Sequence, residues 1–235
     1  ITLLGDNPFA QELGLSFTDP GATASDAIDG DLTASIVVAG DIVDANTTGT
    51  YNITYNVSDS VSNPAPSQTR SVVVSDTTPP LITLTGSANI LHELNTTYTD
   101  EDATSSDNIA GDITAGISVG GDTVNTATAG VYTIPYNINA AAANSAAPLT
   151  RIIDVADRTA PTLILAGTNP INHEVGIVFV DPGATAIDII DGDISANIGV
   201  IGSVDANTVG TYSLTYNVSD AAGNAATTLT RTIDV

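Results

Sequence analysis

The sequence predicts an all-β protein built from three tandem β-sandwich modules. One acidic, turn-rich stretch at residues 19–31 returns at 181–193 and has a degenerate copy at 100–112. The copies are about 81 residues apart, a spacing typical of a chain of repeated modules. Val, Ile, Thr and Ala dominate the composition, and Val, Ile and Thr favour strands. The spacing and the composition together predict an all-β chain of three copies of one unit.

The repeat places the modules at residues 1–76, 77–157 and 158–235. Each module opens with a short apolar strand that glycine closes. Short segments that contain proline join the modules, and such linkers are extended and semi-rigid. We therefore expect an elongated rod. The opening strands are residues 1–5, 82–86 and 163–167, and the linkers are residues 76–80 and 157–161.

The charge of the chain excludes several classes of function. The 235 residues include 27 acids and only four arginines, with no lysine, for a net charge of −23. Such a surface repels nucleic acid and anionic membranes and attracts cations. Without cysteine there is no disulfide, and without lysine there is no Lys–Asn isopeptide crosslink. We find no apolar stretch of about 18 residues that would span a membrane.

The clearest strand of the first module alternates apolar and polar residues. Tyr51, Ile53, Tyr55 and Val57 should face the core, and the intervening polar residues should face solvent. In the second module Pro135 falls on the outer face and removes a backbone donor, so we expect a bulge or a sheet edge there. The Gly-x-Tyr opening of this strand resembles the tyrosine corner of immunoglobulin-like sandwiches.

Two charged positions recur at matched places in all modules. An arginine in the last strand should pair with a carboxylate or cover a strand edge, because it stands alone in so acidic a chain. A glutamate near the start could be a metal ligand, a cap or a solvated side chain. The arginines are Arg70, Arg151 and Arg231, and the glutamates are Glu12, Glu93 and Glu174.

The repeated motifs carry a family likeness over nearly the whole chain. They run Thr-x-Pro, Ile-Thr-Leu-x-Gly, Asp-Pro-Gly-Ala-Thr-Ala-x-Asp-x-x-Asp-Gly-Asp, Gly-x-Tyr-x-Ile-Thr-Tyr-x-Val-x-Asp, Gly-Asn and Arg-x-Val. This pattern resembles the bacterial surface-protein Ig-like repeat family, which is related in layout to the hyaline-repeat modules. The departures are Glu101, Asp102, Ala110 and Ala140 in the second module and Ser62-Asn63 in the first.

The resemblance implies immunoglobulin-like sandwiches in tandem on large secreted or cell-surface bacterial proteins. Such arrays act mostly as stalks or spacers and sometimes accompany adhesive domains. The resemblance brings no catalytic residue, and a sandwich of this kind hosts many functions. We therefore expect an extracellular or cell-surface location and no enzymatic activity.

Neither the paired carboxylates nor the histidines indicate catalysis. A glycosidase uses one carboxylate pair, whereas these acids recur in every module. His92 and His173 precede Glu93 and Glu174, but one histidine and one glutamate are too few ligands for zinc. We interpret the histidines as partly exposed strand residues.

Calcium is the one cofactor that the acidic loops suggest. Ca²⁺ takes six to eight hard oxygen ligands, and each loop crowds carboxylates into a few residues. Asp-Gly-Asp is also an ordinary turn sequence that needs no metal, so both interpretations stay open. The candidate loop ligands are Asp26, Asp29, Asp31, Asp107, Asp112, Asp188, Asp191 and Asp193.

A second candidate site lies at the junction of the last two modules. In a sandwich, the hairpin that follows the long alternating strand lies at the end that faces the preceding linker. Asp220 begins that hairpin and should approach Asp157 of the linker, with Glu174 as a further ligand. The second module has Ala140 at the hairpin position, so its junction should lack this carboxylate.

The sequence favours a structural role over two rivals. We expect a spacer or stalk segment of a large surface or secreted protein, such as an adhesin, with calcium as a stiffening ion. One rival is a subunit of an extracellular filament, in which modules of different chains associate. The other is a module that binds glycan or protein, which would need an exposed aromatic platform. The expected partners are neighbouring modules and other copies of the chain, with no nucleic acid and no membrane insertion.

Overall fold

The chain folds into β-strands joined by turns. A computed structural model describes residues 1–139 and 144–235. Within these residues there is no α-helix, and each repeat has a single 3-10 turn, at Thr33–Ser35, Thr114–Gly116 and Ser195–Asn197. The all-β class predicted from the repeat is confirmed.

The three repeats carry matching series of strands. The first repeat contains β1 (Thr2–Leu3), β2 (Phe9–Glu12), β3 (Ala22–Thr23), β4 (Ser25–Asp26), β5 (Gly30–Asp31), β6 (Val37–Gly40), β7 (Gly49–Asn56) and β8 (Gln68–Ser75). The second contains β9 (Leu81–Leu84), β10 (Asn89–Glu93), β11 (Ala103–Asp107), β12 (Gly111–Asp112), β13 (Ser118–Val119), β14 (Gly130–Asn137) and β15 (Leu149–Ala156). The third contains β16 (Thr162–Leu165), β17 (Ile171–Asn172), β18 (Ala184–Asp188), β19 (Gly192–Asp193), β20 (Gly199–Ile201), β21 (Thr211–Asn217) and β22 (Leu229–Asp234).

Each repeat has a larger sheet of one strand order. The order is β2-β8-β7-β6 in the first repeat, β10-β15-β14-β13 in the second and β17-β22-β21-β20 in the third. The first strand of each order runs parallel to the second, and the other described pairs are antiparallel. The opposing sheet joins β9, β11 and β12, or β16, β18 and β19, while the first repeat has the same pairings in two pieces. In the first and third repeats, core clusters that take residues from both sheets show that the two sheets face each other as a sandwich.

The long alternating strand supplies the core, as its pattern predicts. Ile53 and Tyr55 of β7 and Val57 immediately after it are buried, and Tyr51 is half-buried. In the third repeat, Leu163 and Ala186 of one sheet lie in the same buried cluster as residues of β21 and β22 in the other. The core therefore lies between the sheets.

Pro135 does not bend β14 or place it at an edge, contrary to the expectation from the sequence. β14 is an interior strand of its sheet. The Pro135 carbonyl accepts a hydrogen bond from the N–H of Gly120, so the missing donor of Pro135 points to the same side. On that side β13 covers only Ser118–Val119, whereas β6 of the first repeat covers four residues. The proline shortens its neighbouring strand and leaves its own intact.

The Gly-x-Tyr tyrosines form tyrosine corners. The Tyr51 hydroxyl donates to the carbonyl of Thr47 at 3.0 Å, and Tyr212 donates to Thr208 at 2.9 Å. A tyrosine bonded to the backbone a few residues upstream is a hallmark of immunoglobulin-like sandwiches. The immunoglobulin-like character inferred from this motif is confirmed.

Contacts divide the chain into two compact units. Each unit contains part of the second repeat. One comprises Ile1–Gly86, Glu101–Gly120 and Pro135–Thr150, and the other comprises Ser87–Asp100, Gly121–Ile134 and Arg151–Val235.

Candidate functional site

The first and third carboxylates of each acidic loop accept hydrogen bonds from backbone N–H groups in the turns of the same loop. Asp26 Oδ1 accepts hydrogen bonds from the N–H groups of Ile28 (2.7 Å) and Asp29 (3.0 Å). These bonds lower the pKa of Asp26. Asp31 accepts from the N–H of Thr33, and the side chain of Thr33, followed by this N–H, lowers the pKa of Asp31. The same bonds recur at Asp107, Asp112, Asp188 and Asp193.

The middle acid of the loop reaches to the hairpin that follows the long strand. Asp29 Oδ2 accepts from the N–H of Ser60 at 2.8 Å in the first repeat. Asp191 Oδ2 accepts from the N–H of Ala221 at 2.7 Å in the third. This bond joins two loops at one end of the sandwich, and the second repeat has Ala110 at the corresponding position.

The hairpin of the third repeat is hydrogen-bonded both to its own carboxylate, Asp220, and to the second linker. Asp220 Oδ1 accepts from the N–H of Asn224, and Asp220 Oδ2 accepts from the Asn224 amide, both at 2.7 Å. The same amide donates to the carbonyl of Asp157 at 3.2 Å. Asn224 therefore ties the second linker to the hairpin, an arrangement that the sequence analysis did not foresee.

Three carboxylates consequently meet at the second linker. Asp157, Asp191 and Asp220 each place one oxygen within 4.8 Å of the other two. Asp220 is buried, Asp157 is half-buried and Asp191 is exposed. Burial raises the pKa of Asp157, and the nearby charges of Asp188 and Asp220 raise it further. This acidic group is a defined cluster of carboxylate oxygens.

The first linker has a reduced version of the same arrangement. Burial and the charge of Asp107 raise the pKa of Asp76. The Asn144 amide donates to the carbonyl of Asp76 at 3.1 Å, as Asn224 does at the second linker. Ala110 stands where the third repeat has Asp191, and Ala140, which stands where it has Asp220, lies outside the described residues. The expectation about Ala140 thus rests on sequence alone.

The recurring glutamates of the first two repeats, Glu12 and Glu93, accept hydrogen bonds from the linker that follows their own repeat. Glu12 accepts hydrogen bonds from the N–H groups of Thr77 (3.0 Å) and Thr78 (3.3 Å) and from both hydroxyls. The hydroxyl of Thr77 contributes most to lowering the pKa of Glu12 to about 2. Glu93 accepts from the N–H of Arg158 at 3.1 and 3.2 Å. Glu174 is exposed and is not part of the acidic group at Asp157.

The histidines contact their own loops. His92 Nε2 lies 3.1 Å from the Thr96 hydroxyl, and its ring meets Tyr98 edge-on at 5.4 Å. His173 Nε2 lies 2.9 Å from the carbonyl of Ile177. Both side chains are half-buried. Their positions fit the structural role expected of them.

Comparison with known proteins adds relatives of low and moderate similarity. The chain is 33% identical over 221 residues to the "uncharacterized 81.3 kDa protein" of Acholeplasma phage L2. The match covers 87% of this chain but only 29% of that relative's length. Within the described residues, no helix has the length and hydrophobicity that a membrane span requires.

Two solved structures share a weak likeness of fold. The lipoprotein BT2262 from Bacteroides thetaiotaomicron matches with a TM-score of 0.31 and 14% identity, over 65% of this chain and 98% of its own. The M60 catalytic domain with two CBM51 domains from Clostridium perfringens ZmpB matches with a TM-score of 0.28 and 15% identity, over 96% of this chain and 30% of its own. These values support no inference about function.

The family assignment comes from the repeats themselves. The family model described as "Bacterial surface protein, Ig-like domain" matches residues 1–74, 82–155 and 163–235. The matches lie in the three repeats and cover the sandwich strands described above to within one residue at each end. The chain therefore belongs to the Ig-like domain family of bacterial surface proteins, as three tandem copies.

Proposed function

We propose that this chain is a spacer segment of a large cell-surface or secreted bacterial protein, such as an adhesin. The observation that carries the proposal is that each linker is hydrogen-bonded to the repeat that precedes it. One carboxylate, Glu12, binds two consecutive linker residues, Thr77 and Thr78. Glu93 fastens the second linker in the same way at Arg158. A fastened linker resists bending, which a spacer needs and a flexible tether does not.

The first linker is also bonded to the repeat that it enters. Asn144 donates to the carbonyls of Asp76 (3.1 Å) and Thr78 (3.3 Å). The amide of Asn108 lies 3.4 Å from Glu12 Oε1. The linker thus has partners on both sides, which a segment free to rotate would lack.

The positions of the aromatic side chains favour a spacer over a glycan-binding module. The chain has seven tyrosines and three phenylalanines, and each is buried or half-buried. Sugar rings bind on exposed aromatic faces, and such a platform is absent from the described residues, which include every aromatic residue of the chain. Together with the net charge of −23, this surface suits a hydrated segment that avoids contact.

Replacement in the parent protein tests the spacer role. The segment is deleted, or exchanged for three unrelated immunoglobulin-like modules of equal length, and adhesion of the cells is measured. We expect deletion to reduce adhesion and the exchange to restore it, because a spacer contributes length and stiffness. If the exchange restores nothing while the isolated chain binds host surfaces, the segment is a binding module and the proposal is wrong.

A substitution tests whether the hydrogen bonds of Glu12 restrain the first linker. Glu12→Ala should raise the mobility of spin labels on either side of residue 77, because the linker loses its acceptor. Glu174→Ala is the matched control. It alters the same position of the third repeat, and the described residues include no linker after that repeat. Equal mobility in both variants would contradict the role of Glu12.

A further inference from the structure

Four carboxylates converge on the second linker. Asp157, Asp191 and Asp220 bring one oxygen each within 4.8 Å of the others. Asp188 adjoins this group, because its Oδ1 accepts a hydrogen bond from the N–H of Asp191 at 3.0 Å. The acids come from a linker, a strand end, a turn and a hairpin, so folding itself assembles them.

Asp188 gives an independent indication of a ligand. It is 3% exposed, and its Oδ1 accepts from the N–H groups of Ile190 and Asp191. Its Oδ2 is buried and has no hydrogen-bond partner among the described residues. A buried carboxylate oxygen without a partner is costly, and here it lies beside other negative charges. A cation would satisfy the oxygen and offset the repulsion.

We propose that Asp157, Asp188, Asp191 and Asp220 bind one Ca²⁺ ion at the second linker. Calcium takes carboxylate and carbonyl oxygens at about 2.3–2.6 Å, so ligands of one ion lie up to about 5 Å apart. The observed spacing of the three oxygens fits that limit. Magnesium demands shorter, regular geometry and retains water, whereas zinc favours histidine and cysteine. A carboxylate set without histidine or cysteine therefore fits calcium and not zinc, and titration with Mg²⁺ distinguishes calcium from magnesium.

The composition of this site differs from both sites expected from the sequence. Asp188 and Asp191 come from the loop, and Asp157 and Asp220 come from the junction. Asp193 stays with its own turn at Ser195, and Glu174 is not in the group. The first linker has Ala110 and Ala140 in place of two ligands. We therefore expect one such linker site in the chain.

Calorimetric titration of the chelator-treated full chain with CaCl₂ tests the site. We expect one ion per chain. The double variant D191N/D220N should bind at least about tenfold more weakly, because it loses two charges. Asparagine retains an oxygen acceptor for the N–H groups of Ala221 and Asn224. Circular dichroism equal to that of the wild type, and a melting temperature in EDTA no lower than that of the wild type, will show that the double variant is folded.

Matched controls and other ions complete the experiment. Asp193→Asn, in the same loop, and Asp112→Asn, in the second repeat, should leave the affinity unchanged. The proposal is overturned if millimolar Ca²⁺ gives no binding, if D191N/D220N binds as the wild type does, or if Mg²⁺ binds equally well. The site does not depend on the spacer role, because loss of calcium binding would leave the module-exchange result unaffected.

Discussion

Arg70 Nη1 lies 2.7 Å from Asp19 Oδ1, and the guanidinium is completely buried. Asp19 also accepts from the Tyr55 hydroxyl at 2.6 Å, and Arg70 donates to the carbonyls of Leu4 and Gly21. The third repeat has the same set around Arg231 and Asp181. In a chain without disulfides, this anchor joins the two sheets of each sandwich.

Removing the anchoring carboxylate should destabilise the first repeat strongly. Asp19→Ala leaves the Arg70 guanidinium buried without its charge partner, and such losses cost about 3–5 kcal/mol. Amide hydrogen exchange in β7 and β8 should accelerate accordingly. The control is Asp154→Ala, which breaks the Arg158–Asp154 pair at 35% and 43% exposure and should cost under about 1 kcal/mol. Similar effects of the two variants would contradict an anchoring role.

The fastening of the first linker should weaken in acid. The pKa of Glu12 is about 2 in the folded chain, against an ordinary value of 4.5. A lowered pKa means that the stabilisation is complete above pH 4.5 and is lost as the pH falls through 2. Carboxyl carbon chemical shifts of Glu12 measure this titration directly. Glu12→Gln should remove the pH dependence in that window, and a titration of Glu12 near 4.5 in the wild type would refute the bond to Thr77.

Neutralising Asp157 should have opposite effects with and without calcium. Burial and neighbouring charges raise its pKa, so the charged form is disfavoured by folding. Asp157→Asn should therefore melt at a higher temperature than the wild type in EDTA. Its melting temperature should nevertheless rise less than that of the wild type when Ca²⁺ is added.

Asp76→Asn is the matched control at the first linker. The pKa of Asp76 is raised as well, so this variant should also melt higher in EDTA. It should keep the full gain from Ca²⁺, since it leaves the second linker unchanged. A loss of the gain in both variants would place the ion elsewhere.

The strands could be predicted because their signals are local. Alternation from Tyr51 to Val57 and the Gly-x-Tyr motif each lie within one strand, and the structure has the expected burial and tyrosine corner. The effect of Pro135 was mispredicted, because it depends on which side of β14 its missing donor faces. That side is set by the pairing with β13, which lies elsewhere in the sequence.

The acidic residues were harder to interpret because their partners are distant in sequence. Asp19 accepts from the N–H of Gly21, as its turn sequence predicts, but the sequence did not indicate its second partner, Arg70, which is 51 residues away. Asp220 was expected beside Asp157, and these two do lie together. Glu174 was expected there too, but its counterparts Glu12 and Glu93 bind the following linker instead of the preceding one. The sequence around Asp19 and around Glu174 contains no local signal that shows which distant residue the carboxylate contacts.

The burial of the arginines determines where proteases can act on the folded protein. Trypsin cuts only after lysine or arginine, and this chain has four arginines and no lysine, all in described residues. Arg70, Arg151 and Arg231 are wholly buried, and Arg158 is 35% exposed. Trypsin should therefore make a single cut in the folded chain, between Arg158 and Thr159, whereas early cutting at Arg70 would reveal local opening. The three sandwiches are thus resistant to trypsin-like digestion for as long as they stay closed, and only the second linker is open to it.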